Sequence, residues 1–310
     1  MAAPTFRDIR YEKGDWVATV TINRPHAYNA YTTDTLREMA AAFKDAAFDD
    51  SVAVIVLTGA GDKAFCTGGD VKEYAELYTQ RPREYWKYML EFQAAHDVLR
   101  NCGKATIARV NGVCAGGGNE FHIACDLSVA ADHAEFLQVG TRVGSVAAGG
   151  ATQWLPLLIG DRRAREMLLL CEKVPAAKAL EWGLVNWVVP ADALDAKVRE
   201  VAARLVDTFP ESTRYTKTQV NFWKDLSWSM TIGHARDWLS LHFATQEPWE
   251  GMRAFVEKRP ARYRELRQEA ADGGAPEFLW GGPAKTCPSC GAAGLPADFA
   301  FCGRCGRALA

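Results

Sequence analysis

For two-thirds of its length the chain alternates short apolar runs with amphipathic stretches, and beyond that it is helical in pattern. Phe6–Tyr11 and Trp16–Ile22 read as two strands joined by a turn at Gly14. Asn23-Arg24-Pro25 ends the second, because proline cannot donate to a ladder. Over 35–48, Leu36, Met39, Ala40, Phe43 and Ala47 share one helical face, and Thr35 with Glu38 has the form of a capping box. Val52–Leu57 is apolar and mostly β-branched, hence a buried strand. Residues 82–100 place Tyr85, Met89, Phe92, His96 and Leu99 at helical spacing, and His96 on that face reads as packing rather than catalysis. Thr106–Val110, Leu127–Ala131 and Val185–Val189 are further strands, with a helix stop at Trp182-Gly183. From Ala191 to about residue 270 the pattern is helical, in pieces broken at Pro210, Gly233, Pro248 and Pro260. The expected class is α/β: strand–turn–helix units followed by helices alone.

A length of 310 residues allows one large domain or two ordinary ones. The net charge of −2 makes no electrostatic case for nucleic acid or an anionic membrane. No apolar run is long enough to span a bilayer. The opening Met-Ala-Ala-Pro-Thr-Phe-Arg does not have the form of a signal peptide, so a cytoplasmic protein is expected. Cys66, Cys102, Cys114, Cys125 and Cys171 are scattered and read as reduced thiols, whereas Cys287, Cys290, Cys302 and Cys305 form two Cys-x-x-Cys pairs.

The chemistry concentrates in two glycine turns. Residues 105–126 combine a short strand, Gly116-Gly117-Gly118 and the start of a helix carrying Glu120. Free N–H groups and the positive end of a helix dipole meet there, a place for an oxyanion or a phosphate. A carboxylate would repel a phosphate, which favours an oxyanion beside an acid/base group; the rival reading is a tight turn with Glu120 as a dipole partner. Residues 64–73, with Gly68-Gly69-Asp70, form a second turn of the same kind. Two such turns can aim two N–H groups at one carbonyl oxygen.

Four stretches then point to a family: Thr21-Ile22-Asn23-Arg24-Pro25 with Asn29-Ala30; Ala64 to Asp70; Val110-Asn111-Gly112 with Gly116 to Glu120; and Glu250 to Phe255 with Lys258-Arg259-Pro260. In order and spacing the chain resembles the crotonase (enoyl-CoA hydratase/isomerase) superfamily over roughly residues 6–265. The resemblance implies a ββα spiral with two sheets over 1–190 and a helical trimerisation region over 191–270. It also implies homotrimers or hexamers, an acyl-coenzyme A substrate and no cofactor for catalysis. By motif position the N–H groups of Gly69 and Gly117 would hold the thioester oxygen and stabilise an enolate. Glu120 matches one of two hydratase glutamates; the other falls at Gly140, where Gln138-Val139-Gly140 replaces Gln-Pro-Glu. The lost carboxylate is expected to leave space in the pocket.

Gln138 to Ser145 instead resemble a branch acting on cyclic acyl-CoAs, which includes dihydroxynaphthoyl-CoA synthase-like ring closers and hydrolases that open oxo-rings. Glu120, Gly149-Gly150-Ala151-Thr152, Tyr28 to Thr33 and Asp70 to Ala75 place the chain nearest the hydrolases of unsaturated rings. A tyrosine of the synthases falls at Phe243, a departure from ring closure. The resemblance implies Glu120 as the base that activates water and Ser145 as hydrogen-bonding the ring ketone. Thr67 and Gln138 would position water, while Gly68 and Gly140 line the acyl pocket. Asp70 would border it as a cap or dipole partner, and Arg24 and Lys258 would meet CoA phosphates, Lys258 from its own or from a neighbouring subunit. Ser145 reads equally as a helix N-cap, and Arg24 and Lys258 as routine surface charges. His122 and Asp126 lie just beyond Glu120, His122 more as a satisfied interior histidine.

Residues 271–286 read as a flexible linker in which Phe278, Leu279 and Trp280 either dock on a surface or are incidental. Residues 287–310, with Cys287-x-x-Cys290-Gly and Cys302-x-x-Cys305-Gly, read as a zinc ribbon holding structural Zn²⁺ and offering a surface for a protein partner, ahead of the rival readings of a redox dithiol pair or disulfides. Two other functions stay open: an enoyl-CoA hydratase or isomerase working with Glu120 alone, and a non-catalytic CoA-binding scaffold acting through the ribbon.

Overall fold

The computed structural model describes residues 6–309; residues 1–5, most of the opening segment, and Ala310 lie outside them. Two sheets carry the spiral. The larger has the order β1 (Ile9–Gly14), β2 (Val17–Ile22), β3 (Val54–Gly59), β5 (Ala105–Val110), β7 (Leu127–Ala131) and β10 (Trp187–Val189). The smaller has β4 (Ala64–Cys66), β6 (Val113–Ala115), β8 (Glu135–Leu137) and β9 (Val174–Pro175). All pairings are parallel except β1 with β2 and β8 with β9. The chain steps from the large sheet to the small one three times, β3 to β4, β5 to β6 and β7 to β8. That stepping makes β4 and β6 neighbours, so the turns that follow them emerge side by side.

β3 is buried on both faces, as its uninterrupted apolar run requires. Ile55 and Leu57 join the main core with α1 (Thr33–Phe48) and α3 (Pro82–Asn101), while Val54 and Val56 face α8 (Leu194–Val206). The family-like asparagines have structural work: Asn29 Nδ2 donates to the carbonyls of Ala60 (2.9 Å) and Ala64 (2.8 Å), and Asn111 Nδ2 to those of Gly59 (2.9 Å) and Gly61 (2.7 Å). Together they pin the loop leading into the first glycine turn.

Several boundaries differ from those read off the sequence. The first turn lies at Asp15 and Trp16, both with positive φ, rather than at Gly14. α1 is capped by Thr32 with Thr35; Glu38 instead accepts from the amides of Arg7 (3.0 Å) and Asp8 (2.8 Å). α9 (Pro210–Val220) is followed by α10 (Phe222–His242), which runs unbroken through Gly233. Pro248 falls in the first turn of α11 (Gln246–Val256), where its missing N–H breaks no intrahelical bond. α12 (Tyr263–Ala271) ends the helical part. Pro283–Lys285 pairs with Leu295–Pro296, so ordered structure begins inside the stretch read as linker. Trp280 packs edge-on against Phe299 of the ribbon at 6.5 Å between centroids, and the Gln246 amide donates to Glu277 O (3.1 Å). Among the described residues no helix is long and apolar enough to cross a membrane.

Candidate active site

The first glycine turn is clamped by Tyr31, whose amide donates to Gly68 O (2.9 Å) and whose carbonyl accepts from Asp70 N (2.8 Å). The Gly69 amide between them takes no part in that pairing. The second turn passes through Gly116 at φ 52°, ψ −126°, a conformation only glycine adopts readily, into α4 (Gly117–Ala124). As the first residue of α4, Gly117 has an N–H with no carbonyl one turn back to receive it. The turns touch: a Cβ at Gly68 would lie 3.0 Å from Gly117 N, and one at Gly118 would overlap the carbonyl of Cys66. Both amides therefore border one cavity of about 1030 Å³.

Glu120 reaches that cavity from the first turn of α4 and is buried. Its Oε1 accepts from the amide of Ala151 (3.2 Å), at the start of α5 (Ala151–Ile159), and Gly149 packs against its other oxygen. Burial pushes its pKa up to about 7, the bond from Ala151 opposing the rise. Such a group can take and return a proton near neutral pH.

Ser145 lines the cavity, as does Tyr85. Ser145 caps no helix, since α5 begins at Ala151 with Gly150 at its cap. Gly140 also lines the cavity, yet the space expected from its lost carboxylate is closed in the Cβ direction. A Cβ there would lie 2.9 Å from Ser145 O and 3.3 Å from Ala147 N. The structure thus corrects that expectation.

Thr67 lines the cavity and donates to Tyr28 O (3.3 Å). Asp70 accepts from Lys72 N (3.0 Å) as the cap of the short helix α2 (Val71–Glu73), and its other oxygen pairs with Arg24 Nη2 (3.0 Å). Arg24 also donates to Ala30 O, so it borders the cavity already engaged.

Two candidates stand apart. Gln138 is buried behind the second turn, its Nε2 donating to Gly116 O (3.3 Å), and it is not among the lining residues. Lys258 is exposed and off the cavity wall; Arg259 lines it instead, held bidentate by Glu250 (2.6 and 3.0 Å). His96 packs on Phe121 at 3.9 Å between centroids, and His122 bonds Asn119 Oδ1 (3.0 Å) and Ser128 Oγ (2.8 Å), both as interior histidines. Asp126 is spent on Thr106 and Lys217.

Sequence reasoning missed the aromatic wall of the cavity, built by Tyr31, Tyr74, Tyr85 and Tyr88. The spacing of Tyr85, Tyr88 and Phe92 signals a helix face; that the same face is a cavity wall has no local signal. Phe243 stacks on Tyr85 from outside at 3.6 Å between centroids.

The enoyl-CoA hydratase/isomerase family model matches residues 12–267. The chain belongs to that family. This crotonase is 35% identical to 6-oxocyclohex-1-ene-1-carbonyl-CoA hydrolase of Geobacter metallireducens, over 84% of the chain and 83% of the relative. It is 34% identical to the enzyme of the same name from Thauera aromatica, over 82% of each. Among solved structures it is similar to an enoyl-CoA hydratase from Mycobacterium avium subsp. paratuberculosis (TM-score 0.76, 30% identity, 84% of this chain and 99% of that one). An enoyl-CoA hydratase/isomerase from Xanthobacter autotrophicus matches with TM-score 0.74 and 30% identity, over 86% of this chain and 97% of that one. The crotonase is an enzyme acting on CoA thioesters, and its fold is the crotonase fold.

Past the family's residues, Cys287, Cys290, Cys302 and Cys305 bring their sulfurs within 4.8 Å of one another. The two halves repeat each other. Cys287 N donates to Ala292 O (2.8 Å) and Gly291 N to Cys287 O (2.9 Å); Cys302 N donates to Arg307 O (2.7 Å) and Gly306 N to Cys302 O (2.8 Å). This cluster can bind a metal.

Proposed function

We propose that this crotonase hydrates and then hydrolytically opens a cyclic, conjugated oxo-acyl-CoA of the 6-oxocyclohex-1-ene-1-carbonyl type. The observation that carries the reading is a buried carboxylate, Glu120, held by the amide of Ala151 and packed against Gly149 beside two glycine turns, with no second carboxylate at Gly140. Relatives named for that hydrolysis support it.

Gly69 and Gly117 hold the thioester oxygen through their amides. Glu120 takes a proton from water as the oxygen adds to the ring carbon β to the thioester, and the electrons pass to the thioester as an enolate. Glu120 returns the proton to the α-carbon. A second water, deprotonated by the same carboxylate, attacks the ring ketone, whose oxygen Ser145 receives. The bond between ketone carbon and α-carbon breaks, the electron pair returns to the enolate in the same pair of amides, and Glu120 protonates it. Two waters are consumed and a free carboxylate forms. One base serves both halves because each begins and ends with the carboxylate ionised.

The cavity wall also carries Arg24, Lys72, Arg142 and Arg259, cations suited to CoA phosphates. Domain limits at 190, 270 and 286 follow the change from spiral to helices to tail, with the ribbon's ordered pairing starting at Pro283. Exposed Phe209, Val220, Trp223, Met230 and Leu241 on and beside α9 and α10 supply an apolar face for a trimer or a hexamer. The four cysteines hold structural Zn²⁺: four thiolates suit a tetrahedral ion and leave no open position.

The test is mass spectrometry of product formed from 6-oxocyclohex-1-ene-1-carbonyl-CoA and, separately, from crotonyl-CoA. Gain of two waters on the cyclic compound, with crotonyl-CoA unchanged, is the expected result. One water on crotonyl-CoA, with the cyclic compound unchanged, overturns it in favour of a simple hydratase, the activity named for the solved relatives.

A further inference from the structure

The aromatic wall has a polar side that neither the amides nor Glu120 explains. Tyr74 enters from the π-helical turn Tyr74–Tyr78, Tyr88 from α3, and Tyr31 from the segment before α1. Tyr74 Oη and Tyr88 Oη share a hydrogen bond, and Tyr31 lines the same wall beside them. Two of these hydroxyls fall on the two glycine turns. A Cβ at Gly69 would overlap Tyr74 Oη, and a Cβ at Gly117 would overlap Tyr31 Oη. The phenols thus border the same gap as the two candidate amides.

Each phenol brings one hydrogen and can also accept. The Tyr74–Tyr88 bond uses one of that pair's two hydrogens, and the spare one, with the hydrogen of Tyr31, is free to be given. Burial keeps all three neutral, so these hydrogens are present throughout the working pH range. Linked hydroxyls polarise one another, which strengthens the free donor of the pair.

We propose that the phenols of Tyr74, in its pair with Tyr88, and of Tyr31 give a third hydrogen bond to the thioester oxygen, beside those of Gly69 and Gly117. The proposal rests on the reading of those two amides as the oxyanion site. No proton changes owner: the bond strengthens as negative charge builds on the oxygen and relaxes as it leaves. It also gives the glycines at 69 and 117 a second purpose, since any side chain there would displace the hydroxyls.

The experiment uses the full chain and its Tyr74→Phe and Tyr31→Phe variants, with Tyr78→Phe as control. Tyr78 bonds Thr33 and does not line the cavity. The carbonyl stretch of bound cinnamoyl-CoA, labelled with ¹³C at the thioester carbon, is read by difference infrared spectroscopy. Wild type and Tyr78→Phe should shift the band to lower frequency by the same amount. Tyr74→Phe or Tyr31→Phe should shift it less, with kcat on the cyclic substrate lowered about 10- to 100-fold and KM changed less than about threefold. A purely structural tyrosine would alter thermal stability without moving the band. A full wild-type shift in both variants overturns the phenol donors. No shift in the wild type overturns the oxyanion reading beneath it.

Discussion

The amide of Ala151 donates to Oε1 of Glu120 across 3.2 Å, linking the first residue of α5 to the first turn of α4. The bond orients a carboxylate that is otherwise desolvated. Replacing it by an amide, Glu120→Gln, keeps the size and removes the proton exchange. Turnover of the cyclic substrate should fall about 10²- to 10⁴-fold while CoA-thioester binding, measured by calorimetry, is retained.

The pH profile should follow the same group. With its pKa raised to about 7, Glu120 is ionised, and able to accept a proton, only above that value. The rate under saturating substrate should climb through about pH 7 to a plateau, and stopped-flow measurement from pH 5 to 9 will locate the inflection. An inflection near pH 4.5 would mean the rate-controlling group is not this buried carboxylate.

Stability carries the opposite sign. A carboxyl whose folded pKa exceeds its unfolded one favours folding below the unfolded value, and that advantage fades as pH rises through about 7. From pH 4.5 to 8 the ionisation of Glu120 should remove about 2–4 kcal/mol. In Glu120→Gln this component is absent, so the variant should gain stability relative to wild type between pH 5 and 8 in denaturant titrations.

Gly149 holds the other side of the carboxylate. A Cβ there would lie 2.6 Å from Glu120 Oε2 and overlap the ring of Phe92. Gly149→Ala should lower kcat more than about tenfold and destabilise the fold by about 1–3 kcal/mol, the usual range for overpacking. Steady-state kinetics with thermal unfolding will check both.

Removing the metal should leave the crotonase core working. A chelator, or Cys290→Ser, should release one zinc per chain by atomic absorption and open the region 283–309 to protease. Activity of the core should change less than about twofold, because the site sits outside residues 12–267 and a metal-held module folds with its own ion.

How much of this was legible beforehand differs residue by residue. Gly68-Gly69 and Gly116 to Gly118 were readable as two strand–helix turns, because a strand's composition, a glycine cluster and a helix start are local signals. Glu120 was readable as their companion for the same reason, and the Cys-x-x-Cys-Gly repeats because a thiolate site leaves its spacing in the chain. Gln138 was misplaced by position within a motif, since it faces the back of a turn, while on its own chain Lys258 leaves the wall to Arg259.

The order of residues by itself determined the strands, the turns, the single carboxylate and the paired cysteines, since each depends on neighbours a few positions apart. Tertiary structure decided the rest. The step from one sheet to the other laid β4 beside β6 and so joined turns 48 positions apart, Gly69 to Gly117. The return of Gly149 and Ala151 over Glu120 desolvated it, and packing of α3 across the cavity brought Tyr88 to Tyr74. Such meetings depend on long-range packing, where energies of many contacts act together, and no local stretch of sequence holds a record of them.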